Sequence, residues 1–294
     1  MTRAAPLTSS SHRLAISTRR KVTNYVMLTL CVLATMLALA ALIWILGYVL
    51  VQGVRYVSMS FFTNLPMPVG ESGGGFLNAF VGTGIMVGMA SLVSIPFGIL
   101  AGLYLSEFGT GPLAKVVRIV NDTLNATPSI VAGLFAYTLI VLPWHRFSAL
   151  AGSAALAVLM IPIITRTTEE MVRLVPRTLR DAALALGVPQ WRTTLQIVLR
   201  AAAPGIITGV MLAIARVSGE TAALLFTAFN NRLLSTAIDQ PMSSLPVQIY
   251  TYAIAPYDDW HNQAWAGALV LVALVALFSA AVRVATRNRH RSAS

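Results

Sequence analysis

Residues 25–53 read YVMLTLCVLATMLALAALIWILGYVLVQG and include no charged side chain. A helix needs about 20 mostly apolar residues to cross the hydrocarbon core of a bilayer, so this stretch is long enough to span a membrane. It is also longer than the apolar core of a secretory signal peptide, which runs about 7–15 residues, and no A-x-A-like cleavage site lies near its end. We therefore predict a retained transmembrane helix here.

Five more apolar segments follow along the chain. The protein is 56% hydrophobic and only 11% charged, whereas soluble domains carry about 25% charged residues. So few charges cannot cover the surface of a domain in water, which makes lipid the expected solvent. The sequence predicts an all-α membrane protein with six spans at residues 25–53, 77–105, 119–142, 148–165, 203–228 and 262–283.

Lysine and arginine are distributed unevenly between the two sets of connecting segments. The two terminal tails and the loops 106–118 and 166–202 together hold 17 of them, and the three alternate loops hold three. Because basic residues mark the cytoplasmic side of a membrane protein, both termini and the loop 166–202 are predicted to be cytoplasmic. The predicted domains are a basic tail at 1–21, a six-helix transmembrane domain at 22–285 and a second basic tail at 286–294.

Several classes of function find no support in the sequence. The net charge of +11 does not indicate nucleic-acid binding, because the basic residues flank apolar segments instead of lying on a polar surface. Cys31 is the only cysteine, so neither an intrachain disulfide nor a metal site is expected. No HExxH or GxSxG motif is present and no lysine follows a P-loop, so any ATP chemistry must come from a partner. A secondary transporter stays open as an alternative.

The loop 166–202 contains a short predicted helix. Thr178 can cap its N-terminus with Asp181 completing the pair, and helical residues run from Leu179 to Leu186. Gly187 suits the left-handed residue after a helix, and Pro189 prevents the helix from resuming. One face of this helix is lined by Leu179, Ala182, Ala183 and Leu186. Such a helix either seats in a groove of a partner or rests on the bilayer surface.

A motif in the same loop carries a family resemblance. Asp181-Ala182-Ala183 is followed after three residues by Gly187, and then by Ile197 and Leu199. The pattern resembles the EAA motif of ABC importer permeases, with Asp181 in place of the usual glutamate. In that family the loop forms a coupling helix that sits in a cleft of the ATPase subunit. The resemblance therefore implies ATPase-coupling roles for Asp181, Ala182, Ala183, Leu186 and Gly187.

Further strings are similar to PstA-type permeases of the phosphate-specific ABC importer, over most of the chain from about residue 76 onward. They are NAFVGT at 78–83, SIP at 94–96, PSIVAGLF at 128–135, RTTE at 166–169, AIAR at 213–216, GETA at 219–222 and LFTA at 225–228. The resemblance implies a type I importer permease with cytoplasmic termini that carries inorganic phosphate across the bacterial inner membrane. A permease for sulfate or molybdate is the alternative within this class.

The same resemblance implies a set of partners. These are a second permease of the PstC type, two ATPase subunits of the PstB type and an extracytoplasmic phosphate-binding protein of the PstS type. ATP and magnesium would be held by the ATPase subunits, so the chain itself is expected to have no ATPase site and to bind no cofactor. Membrane lipid is the remaining expected partner, and nucleic acid is not one.

Three charged residues of the apolar segments are candidates for the anion pathway: Arg216, Glu220 and Arg166. Arg216 lies about 18 Å along a helix from Pro204, near the middle of the predicted fifth span, where a charge costs at least about 2.5–3.5 kcal/mol. Glu220, one turn later, can pair with it. Because a guanidinium matches phosphate oxygens, Arg216 is predicted to contact the anion. Glu220, which would repel phosphate, is predicted to hold and release the Arg216 side chain; a purely structural pair is the alternative. Arg166, at the end of the fourth span, is either an exit residue or a positive-inside anchor.

Overall fold

The computed structural model describes residues 18–69, 71 and 73–291, with side chains described from residue 20 to residue 284 except at 70 and 72. Most of the predicted N-terminal tail and the last three residues of the C-terminal tail therefore lie outside the described residues. Every regular element in the described part is helical. The predicted all-α class is confirmed.

Thirteen α-helices and two short π-helical segments make up the described chain. The α-helices are α1 (Thr18–Val54), α2 (Met59–Thr63), α3 (Leu77–Glu107), α4 (Pro112–Ala126), α5 (Ser129–Ala136), α6 (Leu142–Trp144), α7 (Ala149–Arg173), α8 (Arg177–Ala185), α9 (Gln190–Arg192), α10 (Leu199–Ser218), α11 (Ala222–Leu225), α12 (Leu245–Ala253) and α13 (Asp258–Arg291). The π-helical segments are π1 (Tyr137–Val141) and π2 (Thr193–Val198).

Five continuous helical stretches of the described residues are long and apolar enough to cross a membrane: Arg20–Val54, Leu77–Glu107, Ala149–Arg173, Gln190–Ser218 and Asp258–Val284. A sixth candidate is the pair Pro112–Ala126 with Ser129–Trp144, which is bent by 107° at the break between the two helices. The span predicted at 119–142 corresponds to this bent pair, which begins earlier, at Pro112. Thr127 is extended because the ring of Pro128 excludes the helical conformation from the residue before it.

The fifth predicted span, 203–228, is also corrected. Its helix begins earlier, at Gln190, and ends at Ser218. The amide groups of Gly219 and Glu220 bond to the carbonyls three residues back, at Arg216 and Val217, which tightens and closes the last turn. The chain then returns into the protein, and a Cβ added to Gly133 of α5 would lie only 2.6 Å from the Cα of Ala223.

The segment after α10 is fastened to the start of α3. The side-chain amide of Asn78 donates to the carbonyl of Asn231 at 2.6 Å, and the hydroxyl of Thr83 accepts the backbone amide of Leu245 at 2.8 Å. A Cβ on Gly82 would meet the carbonyl oxygen of Ser243 at 2.0 Å. Glycine at 82 is therefore required for this close approach.

The chain divides into two compact units, residues 1–50 and 51–294. Of the first unit the structure describes α1, whose apolar side chains are exposed along the helix. That exposure is expected where lipid is the solvent. The predicted boundary at residues 21 and 22 falls within α1, which begins at Thr18.

Small residues set the packing of the second unit. A Cβ on Gly98 of α3 would lie 2.7 Å from Ile164 of α7, and one on Gly102 would lie 2.5 Å from Thr168. A Cβ on Gly209 of α10 would lie 2.3 Å from Thr167. Membrane helices lack a hydrophobic driving force between them and associate through such close backbone approach. Helix α7 thus lies between α3 and α10.

Aromatic side chains of α2, α12 and the starts of α3 and α13 pack against one another. Tyr252 and Trp260 stack with ring centroids 4.4 Å apart, and Phe61 and Phe76 stack at 4.8 Å. Burial raises the pKa of the Tyr252 phenol, with Arg232 acting in the opposite sense. This cluster closes the end of the second unit opposite to the loop 166–202.

Candidate functional site

The short helix predicted in the loop 166–202 is present as α8, with a different beginning. It starts at Arg177 with Pro176 as its N-cap residue, and that N-cap makes no side-chain capping bond. The predicted cap by Thr178 and Asp181 is therefore wrong, because the fixed φ of Pro176 positions the chain for the first turn two residues earlier. Leu179 lies inside the helix.

The end of α8 agrees with the prediction. Gly187 adopts φ = +79°, the left-handed conformation. Its amide bonds to the carbonyl of Leu184 at 2.9 Å, and the amide of Val188 bonds to the carbonyl of Ala183 at 3.1 Å. These bonds use carbonyl groups that the helix end would otherwise leave unpaired.

The rest of the chain buries only part of the predicted apolar face of α8. Ala183 is buried at 4% exposure against its own chain, while Leu186 is 84% exposed and Leu179 is 44% exposed. Ala182 and Asp181 are exposed as well. Ala183 therefore packs inside this chain, so its predicted place on an apolar face open to a partner is wrong. The exposed apolar surface consists of Leu179, Ala182 and Leu186.

Arg180 holds α8 against the helix bundle, and the sequence analysis did not single it out. Its guanidinium bonds to the carboxylate of Glu107 at 2.8 and 3.2 Å. The same group donates to the carbonyls of Val175 at 2.6 Å and Val172 at 2.9 Å. One signal was available, because Glu107 is an acidic residue at the end of an apolar segment facing a basic loop.

Glu169 is a second charged residue that was missed, apart from its place in a family string. It is 3% exposed and accepts hydrogen bonds from Arg118, at 2.9 Å, and from Arg173. Arg118 also donates to the carbonyl of Leu105, in the last turn of α3, and to that of Gly109, just after this helix. One buried carboxylate thus joins α4, α7 and the end of α3. A buried carboxylate is tolerated when its charge is paired and hydrogen-bonded in this way.

Arg166 lies about two turns before the end of α7, which continues to Arg173. Its guanidinium bonds to Glu170 at 2.6 Å, and both side chains are about half exposed. Asp122 of α4 lies near enough to act electrostatically on Arg166. The side-chain amide of Asn121 bonds to the carbonyl of Pro162 at 3.4 Å, which holds α4 beside this part of α7.

Arg216 and Glu220 are not the helical pair that their spacing predicted. Arg216 lies in the last turn of α10, and Glu220 follows the helix. Among the described residues no ion pair joins them, and the Glu220 carboxylate instead accepts the amide of Ala223 at 3.3 Å. The helix macrodipole favours a cation at this C-terminal end. Arg216 is exposed and has no hydrogen bond to another described side chain.

The two candidate pathway arginines lie at different levels of the bundle. Gly209 of α10 faces Thr167 of α7, and Gly205 faces Met171, so the two helices run antiparallel. Arg216 lies seven residues beyond Gly209, which is about 10 Å along the axis, while Arg166 is next to Thr167. The backbone positions of Arg216 and Arg166 are therefore about 10 Å apart along the axes of α7 and α10.

Comparison with known proteins identifies the family. Residues 94–291 match the family model described as "Binding-protein-dependent transport system inner membrane component". The phosphate transport system permease protein PstA of Haemophilus influenzae is 46% identical over 269 residues, which covers 91% of this chain and 94% of that protein. The protein of the same name from Yersinia pestis is 44% identical, covering 90% of each chain. The chain belongs to the PstA family.

Solved structures agree with this assignment at the level of the fold. The MetNI methionine ABC transporter in an inward-facing conformation matches with a TM-score of 0.59 at 19% identity, covering 73% of this chain and 94% of that chain. A bacterial ABC transporter that imports alginate matches with a TM-score of 0.59 at 14% identity, covering 94% and 99%. The PstA-family chain therefore has the fold of an ABC importer permease, as its EAA-like motif implied.

Proposed function

We propose that this chain is the membrane-spanning permease subunit of an ATP-driven importer that carries inorganic phosphate across the bacterial inner membrane. The PstA proteins to which it is similar are named for phosphate transport, and the chain has the multi-pass helical form that such a role needs. Permeases for sulfate or molybdate are the alternative. A secondary transporter is disfavoured by membership of an ABC importer family.

The proposal includes the partners implied by the family. A second permease of the PstC type completes the channel, two ATPase subunits of the PstB type hydrolyse ATP with magnesium, and a PstS-type protein delivers phosphate. The chain has no ATPase role of its own. We place both termini and α8 on the cytoplasmic side, and this orientation is supported by the excess of lysine and arginine in those segments.

We propose that Arg216, Glu220 and Arg166 belong to the anion pathway, although Arg216 and Glu220 do not pair with each other. Arg216 supplies an exposed guanidinium at the end of α10 that can bond phosphate oxygens. Glu220 is half-buried four residues later and limits how long the anion stays by repelling it. Arg166, about 10 Å further along the helix pair, provides the next positive charge, with Glu170 as the partner that the anion displaces.

One observation supports the coupling role more than any other: α8 is held firmly by Arg180 but keeps Leu186 84% exposed. A leucine so exposed at the end of an anchored helix is suited to a groove in another protein, since burial of a leucine side chain is worth about 1.5–3 kcal/mol. Within the loop, Asp181, Ala182 and Gly187 contribute through shape and charge at the same surface, while Ala183 supports it from inside.

Leu186→Asp is expected to release the ATPase subunits while the permease stays folded and inserted. The charge would have to be buried without a partner in the ATPase cleft, and that loss of contact should weaken retention by about tenfold or more. The measurement is the amount of ATPase that remains with the detergent-solubilised complex. Because the ATPase is cytoplasmic, its loss also places α8 on that side.

Leu184→Asp is the matched control. Leu184 is the same residue type, is 48% exposed and lies two positions earlier, which at about 100° per residue turns it to the opposite side of α8. It should retain the ATPase near the wild-type level. Equal retention in both variants would show that the Leu186 surface is not the docking surface.

A further inference from the structure

The attachment of α8 to the rest of the chain is mainly polar. Ala183 is the only buried side chain among the fully described residues of α8, and an alanine buries little apolar area. The Arg180 guanidinium, by contrast, makes four hydrogen bonds to Glu107, Val172 and Val175. Side-chain exposure is 19% for Arg180 and 9% for Glu107, so water competes weakly for these bonds.

The groups that Arg180 contacts belong to the ends of two long helices. Glu107 is the last residue of α3, and Val172 lies in the last turn of α7 with Val175 just beyond it. These two helices pack along their length through the glycine contacts of Gly98 and Gly102. A displacement of α8 therefore acts on α3 and α7 together through the Arg180 side chain, since the apolar contact of Ala183 is small.

We infer that Arg180 and Glu107 are positioning residues for transport, which transmit the movement of α8 to α3 and α7 when the ATPase acts. This inference rests on the proposed function. Charge-assisted hydrogen bonds have defined direction and length, so the guanidinium transmits a displacement in either direction between the helices it joins. Neither residue contacts the anion or the ATP; both act through the helices.

Arg180→Met tests the inference in the complete complex of permeases and ATPase subunits, reconstituted in vesicles with the binding protein and inorganic phosphate. Methionine keeps the apolar stem of the arginine but removes all four bonds. We expect ATP hydrolysis to continue while phosphate taken up per ATP hydrolysed falls by about fivefold or more. Arg180→Lys should recover part of that ratio, because lysine can still pair with Glu107.

The amount of phosphate taken up per ATP hydrolysed distinguishes a positioning role of the Arg180–Glu107 pair from a purely stabilising one. If the pair only stabilises the fold, Arg180→Met lowers the yield of the complex but each assembled complex keeps the wild-type ratio, and that result would overturn the inference. Should Arg180→Met fail to assemble, Glu107→Met decides the question in the same assay, since methionine keeps the length of the side chain but removes the oxygen that accepts both bonds from Arg180. A wild-type ratio in Glu107→Met would then overturn the inference.

Arg146→Met serves as the control for the substitution itself. Arg146 forms an exposed ion pair with Asp239 at 3.2 Å, before the start of α7 and thus at the end of that helix away from α8. Such exposed pairs contribute little, so the ratio should match the wild type. Failure of the wild-type complex to take up phosphate at all would count against the proposed function and not against the role of Arg180.

Discussion

Arg216→Gln is expected to abolish phosphate uptake while the complex still assembles. Among the described residues Arg216 makes no ion pair, so its removal leaves no unpaired partner in this chain. Glutamine keeps some length and hydrogen-bonding capacity but loses the positive charge. A charge-assisted bond is worth about 1.5–3 kcal/mol, so the anion should be held about tenfold to a hundredfold more weakly at this point.

The measurement is uptake of labelled phosphate by vesicles that contain the complete complex, with assembly checked by recovery of the ATPase subunits. Arg200→Gln is the control, because Arg200 is an exposed arginine in the first turn of the same helix. Normal uptake by Arg216→Gln would remove Arg216 from the pathway. Loss of assembly in that variant would indicate that its role is to bind a neighbouring subunit.

Glu169→Ala is expected to destabilise the chain by about 3–5 kcal/mol, since removing one member of a buried charged cluster leaves the others uncompensated. Glu169 is 3% exposed and pairs with both Arg118 and Arg173. Without it, Arg118 keeps only carbonyl partners, and α4 loses its ionic attachment to α7. The check is the midpoint of thermal unfolding of the purified chain in detergent.

Glu170→Ala provides the comparison at the adjacent position. Glu170 is 52% exposed and forms an i,i+4 pair with Arg166, and such helix pairs are worth about 0.3–0.5 kcal/mol. Its midpoint should lie close to that of the wild type. If Glu169→Ala shifts the midpoint no more than Glu170→Ala does, the Arg118–Glu169–Arg173 cluster does not stabilise the bundle.

Features that depend on the length of apolar segments were predictable from the sequence. A stretch of uncharged residues such as 25–53 must be helical in lipid, because only a helix satisfies its own backbone groups there. The sharpness of the bend between α4 and α5 was not predictable in the same way. Hydropathy averages over Thr127 and Pro128, and a proline inside a span is often tolerated. The bend follows from the local conformation that Pro128 imposes on Thr127.

Tertiary contacts decided the parts of the candidate site that the sequence did not predict. The i,i+4 spacing of Arg216 and Glu220 implied a pair only if the helix continued past Gly219, and the helix ends one residue earlier. Ala183 and Leu186 share a helical face by spacing, but the bundle covers the first and leaves the second exposed. Which side of a short amphipathic helix is covered depends on residues such as Glu107, 73 positions from Arg180.

The proposed role of this chain as the permease of a phosphate importer is tested most directly by measuring phosphate uptake in cells that lack the chain. Uptake of labelled phosphate at low external concentration is measured alongside sulfate and molybdate, with and without a plasmid that supplies the chain. We expect that phosphate uptake alone is lost and that the plasmid restores it. Normal phosphate uptake in the deletion strain, with sulfate or molybdate uptake lost instead, would contradict it.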